Sequence, residues 1–188
     1  LLRFSKFSGR QDETYQINAA CEAYRDEVSS EAAQYDMSDY VDLALAVMMQ
    51  ESSGQGTDPM QSSEGAYNAR YPQQPNGITD PSYSISCGIQ ELKYALDKAG
   101  CTGPTDLSKI RLALQAYNFG ADSYFAYLEE NGQTVWTAQS AQAFAQMASG
   151  NTQRDEDDPL HDPAGPWDYG DQYYPDHVLR YYHLDNNS

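Results

Sequence analysis

The chain has 188 residues and a net charge of −17, from 28 acidic against 11 basic side chains. That length supports one domain with its own core, without staples or metals. The charge excludes a polyanionic nucleic acid as partner, and no stretch approaches the ~18 consecutive apolar residues of a membrane span. Sixteen Tyr and two Trp offer flat apolar faces with polar tips, suited to stacking on sugars or to wet interfaces.

The chain begins at Leu1, the expectation for a mature or trimmed chain. Residues 1 to 11 are polar and mixed and are expected to be a stalk remnant; residues 12 to 188 are expected to form one domain. Residues 12 to 34 predict a first helix, with Tyr15, Ala19, Ala20, Ala23 and Tyr24 on one side. Ser38 is the expected cap of a second helix, with Asp39 in its first turn where the dipole favours an anion. Its body, Tyr40 to Met49, is apolar almost all round, as in a core helix. It runs into Gln50, Glu51, Ser52 and Ser53 and should stop at Gly54.

Residues 54 to 79 are rich in Gly, Pro, Asn, Gln and Ser and predict a long loop, a feature that in compact domains is usually functional or disordered. Asp80 and Pro81 open the next helix as cap and first residue. Ile85, Ile89, Leu92 and Leu96 follow at helical spacing, and Gly100 is the stop. Further helices are predicted over 106 to 117, 121 to 130 and 138 to 149, with a break at Asn118-Phe119-Gly120. Residues 150 to 172 carry three prolines and the run Asp155 to Asp158, and predict an exposed excursion. A last helix is predicted over 175 to 183. No strand and no internal repeat is found, so the expected fold class is mainly α.

Cys21, Cys87 and Cys101 form no CxxC pair, which argues against a zinc site. Cys87 and Cys101 lie near opposite ends of one predicted helix, roughly 21 Å apart at ~1.5 Å per residue. A disulfide needs Cα atoms within ~7 Å, so these two should not pair. Either Cys21 pairs with one of them or all three are thiols.

Glu51 ends the most apolar helix. A carboxyl beside buried apolar surface loses hydration and its pKa rises, so it keeps a proton that it can give to a leaving oxygen. A carboxylate at a helix C-terminus gains nothing from the dipole, which argues against a purely stabilising role. In the loop, Gln61, Ser62 and Ser63 have the groups to hydrogen-bond sugar hydroxyls or acetamido groups, and Asp58 is a candidate base. Ala116-Tyr117-Asn118-Phe119-Gly120 alone reads as a helix end.

Taken in order, Glu51-Ser52, Met60-Gln61, Ser84-Ile85 with Gly88, Ala116-Tyr117-Asn118 with Gly120, and Tyr174 before His177 to Tyr182 resemble the goose-type lysozymes and soluble lytic transglycosylases. Asp42 to Ser52 and Asp58 to Glu64 are most similar to the lysozyme-like domain of bifunctional wall hydrolases of the CwlT type. The resemblance covers roughly residues 15 to 183. It implies a lysozyme-like helical fold and cleavage of the MurNAc-GlcNAc bond of peptidoglycan, with Glu51 as general acid. Ser52, Gln61, Ser62, Ser63, Tyr117, Asn118 and Tyr174 are implied to bind substrate, with Tyr174 facing Glu51, and Gly88 to allow close helix packing. It further implies a secreted or wall-associated protein of Gram-positive conjugative elements, sometimes membrane-anchored, with an NlpC/P60 peptidase in the full-length chain and conjugation machinery as a partner.

The chain departs from the family in four places. Gln61 follows Glu51 by only ten residues, Ser63 stands where the goose-type enzymes have a second carboxylate, the segment 150 to 172 is longer, and Pro175 replaces a usual Val. Inverting hydrolysis needs two carboxyls ~6.5–9.5 Å apart. Asp58 is the candidate partner of Glu51, since capping explains Asp80. A single-carboxylate site would instead act as a transglycosylase, in which the substrate's own hydroxyl attacks and a 1,6-anhydro sugar results. A glycan-binding module without catalysis and a scaffold of a secretion apparatus are the remaining alternatives. None of these chemistries requires a metal or an organic cofactor.

Overall fold

The computed structural model describes residues 15–184. The expected stalk, residues 1 to 11, lies outside them. Eight α-helices follow in order: α1 (Ala19–Glu22), α2 (Arg25–Gln34), α3 (Val41–Ser52), α4 (Pro81–Ala99), α5 (Leu107–Phe119), α6 (Ala121–Glu130), α7 (Ala138–Ala148) and α8 (Tyr174–Leu179). Among the described residues there is no strand, only an isolated antiparallel bridge between Gln153 and Trp167. The mainly α class holds.

α3 is the axis of the core. Leu43, Ala44, Leu45, Ala46, Val47 and Met48 are all buried, each large side chain contributing about 1.5–3 kcal/mol by leaving water. α1, α2 and α8 pack around it, and α4 lies along α5. α4 begins as expected: Asp80 accepts from the Ser82 backbone N–H at 3.0 Å, Pro81 opens the helix, and Gly100 closes it at φ 71°.

Several expectations are corrected. The first helix is broken, because Tyr24 ends one turn and starts the next. The short α1 is seated under the end of α3: Asn18 caps it and also donates to the Ser53 carbonyl at 2.9 Å. Ser38 makes no capping bond; it opens a 3₁₀ turn (Ser38–Tyr40) entered from buried Met37. α3 stops at Ser53, itself left-handed at φ 54°, one residue before Gly54. α5 runs past Asn118 to Phe119, since Phe119 is drawn into a cluster with Tyr124, Phe144 and Tyr169, and Gly120 at φ 94° makes the break. The last helix is only six residues, Tyr174–Leu179. Beyond it Tyr182 turns inward and donates to the Pro104 carbonyl at 2.6 Å. Pro175 sits in the first turn of α8, where a missing N–H costs nothing.

The segment 150 to 172 is not a simple exposed excursion. Arg154, with 9% of its side chain exposed, holds it together by donating to Asp168 and to the carbonyls of Leu160 and Gly170. Gln172 is buried and bonds Trp167 and Tyr169. The segment folds back as a wall beside α5. All three cysteines are thiols.

Candidate active site

Glu51 lies four residues after Val47 and three after Met48, so it continues a face of α3 that is wholly buried. The left-handed turn at Ser53 then throws the chain into the 54 to 79 loop, which crosses in front of that face. The loop has no helix, yet it is densely bonded. Asp58, 1% exposed, accepts from the backbone N–H groups of Ser62 and Ser63 and from the hydroxyls of Ser63 and Ser84. Those four bonds use the four lone-pair directions of a carboxylate. Ser63 also accepts from the Ile78 N–H at 2.9 Å, which ties the far end of the loop to Asp58.

The loop packs on α4 through Gly88. A Cβ there would lie 2.5 Å from the Met60 Cβ. Met60 in turn offers its carbonyl to the Tyr117 hydroxyl at 2.8 Å. Tyr117 stacks on Tyr174 at 6.4 Å between centroids, and Tyr174 donates to Glu51 Oε1 at 2.7 Å. Asn118 accepts from the Asp171 N–H at 2.7 Å. Gln61, left-handed at φ 48°, donates to the Asp58 carbonyl and to Asn76 Oδ1. A non-glycine residue in that region carries strain of about 1–3 kcal/mol, held here by the loop around it.

Two adjoining hollows result. One, of about 470 Å³, is lined by Glu51, Asp58, Gln61, Ser63, Glu91 and Tyr117 among others. The second, of about 700 Å³, is lined by Glu51, Gln61, Asn118, Asp171, Tyr174 and His177, with the 150 to 172 segment as its wall. Glu51, Gln61 and Asn118 belong to both, so Glu51 stands where the two halves of one trough meet.

Of the residues expected at the site, Glu51, Asp58, Gln61, Ser63, Tyr117, Asn118 and Tyr174 line the trough. Ser52 and Ser62 do not. Ser52 donates to the Pro59 carbonyl at 2.7 Å and Ser62 to the Ser84 carbonyl at 2.9 Å, so both hydroxyls tie the loop down. Sequence reasoning missed Glu91 and Asp171, and named His177 in the motif order without giving it a role at the site. Glu91 was legible as an acid on the buried face of α4, three residues after Gly88 and seven after Ser84. Asp171 carried no such signal, because the excursion that brings it to the trough has no regular pattern, whereas His177 lies on α8 and reads only as part of the motif of the last helix.

The electrostatics are those of crowded carboxyls. Burial pushes Glu51 up to about 7; the Tyr174 hydroxyl opposes this, and the charges of Asp171 and Asp58 add to it. Glu91 is pushed up to about 8, first by burial and then by Glu51 and Asp58. His177 Nδ1 lies 2.5 Å from Asp171 Oδ2, and that bond raises the imidazole above its ordinary value. Burial lifts the phenols of Tyr117 and Tyr174 well above the usual range, so both remain hydrogen-bond donors. A carboxyl poised near neutrality in a polar trough is able to protonate a leaving oxygen. Among the described residues no group of three or more His, Cys, Asp or Glu is arranged to hold a metal ion.

A family model described as lysozyme-like matches residues 19–182. The bifunctional muramidase/DL-endopeptidase CwlT of Bacillus subtilis is 36% identical over 90% of this chain and 44% of its own length. A pneumococcal vaccine antigen A homolog of Streptococcus pyogenes serotype M1 is 37% identical over 58% of this chain and 50% of its own. A crystal structure from Staphylococcus aureus Mu50, described as similar to a lipoprotein of the NLP/P60 family, superposes with a TM-score of 0.75 at 26% identity, over 92% of this chain and 56% of that one. The chain thus spans about half the length of the relatives it matches. With helices, trough and motif order all in agreement, the chain belongs to the lysozyme-like family.

Proposed function

We propose that this domain is a peptidoglycan muramidase that cleaves the β-1,4 bond between MurNAc and GlcNAc, with Glu51 as general acid. The observation that carries the reading is the position of Glu51 at the junction of the two hollows, bonded to Tyr174, with its pKa raised to about 7. A glycan strand laid along the trough puts its bridging oxygen over this carboxyl. Gln61 and Asn118 flank the same point. The muramidase named among the relatives supports the substrate class. A wall location outside the cell follows from that substrate, and an NlpC/P60 partner domain in the full-length protein fits the relatives' greater length.

Asp58 is assigned to the water side of the reaction, but not as a bare base. With every acceptor direction taken, it acts on the trough through the Ser63 hydroxyl that it orients. The same saturation favours a second reading: a transglycosylase, which needs no carboxylate to activate water. Mass spectrometry of the products separates the two. Digestion of purified peptidoglycan is expected to release muropeptides with reducing MurNAc ends. Release of 1,6-anhydro ends would establish the second reading, and no released glycan would overturn both.

A further inference from the structure

Glu91 has no part in the chemistry above, and its surroundings are unusual. It projects from the buried face of α4 into the trough and stands where the hollow around Glu51 continues into a third, lined by Tyr67, Tyr94 and Tyr117. Among the described residues its carboxyl has no hydrogen-bond or ion-pair partner. Facing it are Glu51 from α3, Asp58, Glu64 and Tyr67 from the loop, Tyr94 from α4, Tyr117 from α5 and Asp122 from α6, none of them a cation. The lysines of its own helix are engaged elsewhere, Lys93 with Asp97 and Lys98 over the Tyr94 ring. The fold also makes room for it: a Cβ at Gly65 would lie 1.7 Å from Glu91 Oε1, so the carboxyl occupies the space a side chain at residue 65 would fill.

A largely buried carboxyl without a partner is costly unless something satisfies it. We propose that Glu91 is a substrate-binding residue of this trough, whose carboxylic acid donates a hydrogen bond to an oxygen of the glycan, an acetamido carbonyl or a hydroxyl, on the side of Glu51 that leads to Tyr67 and Tyr94. The inference rests on the glycan-cleaving reading and adds the group that seats the strand in that arm. The raised pKa of about 8 keeps the donor proton in place at neutral pH, and ionisation removes it. Binding in this arm therefore weakens as pH rises past that value.

The test uses soluble peptidoglycan oligosaccharides and the variants Glu91→Ala and Glu91→Gln. Alanine is expected to raise KM about tenfold with kcat within twofold of wild type. Glutamine keeps a donor, so it is expected to retain the wild-type KM and to abolish the rise in KM between pH 7 and 9. Unchanged KM in both variants would overturn the proposal. So would a hundredfold loss of kcat in Glu91→Gln, which would make Glu91 a proton-transfer group. Loss in Glu91→Gln only on de-N-acetylated glycan would mean an ion pair with an ammonium, and would also overturn it. Calorimetric binding of the same oligosaccharides to Glu51→Gln, with and without Glu91→Ala, reads the contact without turnover. Absent cleavage by the wild type, with binding still dependent on Glu91, would sink only the catalytic reading; no dependence on Glu91 would sink this one.

Discussion

At the scale of single residues, the site is built from groups whose neighbours decide their protonation. Tyr174 bonds the ionised form of Glu51 and so holds its pKa down against burial. Tyr174→Phe removes that bond, so the Glu51 pKa rises and the alkaline limb of kcat moves to higher pH. A pH–rate profile checks the direction; an unmoved or lowered limb would show that the phenol does not tune the acid. Asp58 is a different case. Asparagine there keeps one acceptor oxygen and points a donor at groups that are themselves donors. Each orphaned buried donor costs about 1–3 kcal/mol. Asp58→Asn is therefore expected to lower the melting temperature together with activity, whereas a purely chemical base would lose activity at unchanged stability. The sequence made Glu51 legible, because an acid closing an apolar helix loses hydration and gains nothing from the dipole at that end. It left Ser52 and Ser62 indistinguishable from Ser63: a hydroxyl's direction depends on which carbonyl the folded loop presents.

At the scale of elements, caps and periodicity were readable wherever one helix decided its own ends. α4 is the clear case, with Asp80, Pro81 and Gly100 all in their expected roles. Boundaries set by partners were not. Phe119 extends α5 because an aromatic cluster takes its ring, and Tyr182 ends the last helix early because it is pulled toward Pro104. The 150 to 172 segment has the composition of an exposed tail, and only the Arg154 and Gln172 bonds turn it into a wall. Gly88 belongs to this scale too. Its Cβ would strike the Met60 Cβ, an atom next to the main chain that cannot swing aside. Gly88→Ala is expected to cost about 1–3 kcal/mol by overpacking and, through Met60 and Tyr117, to reduce activity more than its stability loss explains. Thermal denaturation alongside a lytic assay measures both; a silent substitution would contradict this packing.

At the scale of the whole molecule, the net charge of −17 makes the trough's uncompensated carboxyls part of a general repulsion. A carboxyl whose folded pKa is raised binds more protons folded than unfolded, so stability falls as pH rises through the shifted range. For Glu51 that range runs from its ordinary 4.5 to about 7, and for Glu91 from 4.5 to about 8. The wild type is expected to lose several kcal/mol of stability across this range from these two groups. Glu51→Gln should be the more stable protein at pH 8 and no more stable at pH 4.5. Melting curves across that interval check the sign, and equal curves would mean that Glu51 titrates as an ordinary surface acid.

The most direct trial of the account is solubilisation of purified peptidoglycan by wild type and by Glu51→Gln near neutral pH, with circular dichroism to confirm that both are folded. General acid catalysis supplies about 10²–10⁴ in rate, so the wild type should release glycan fragments at least a hundred times faster than the variant. Equal release by the two folded proteins would contradict the assignment of Glu51 as the acid.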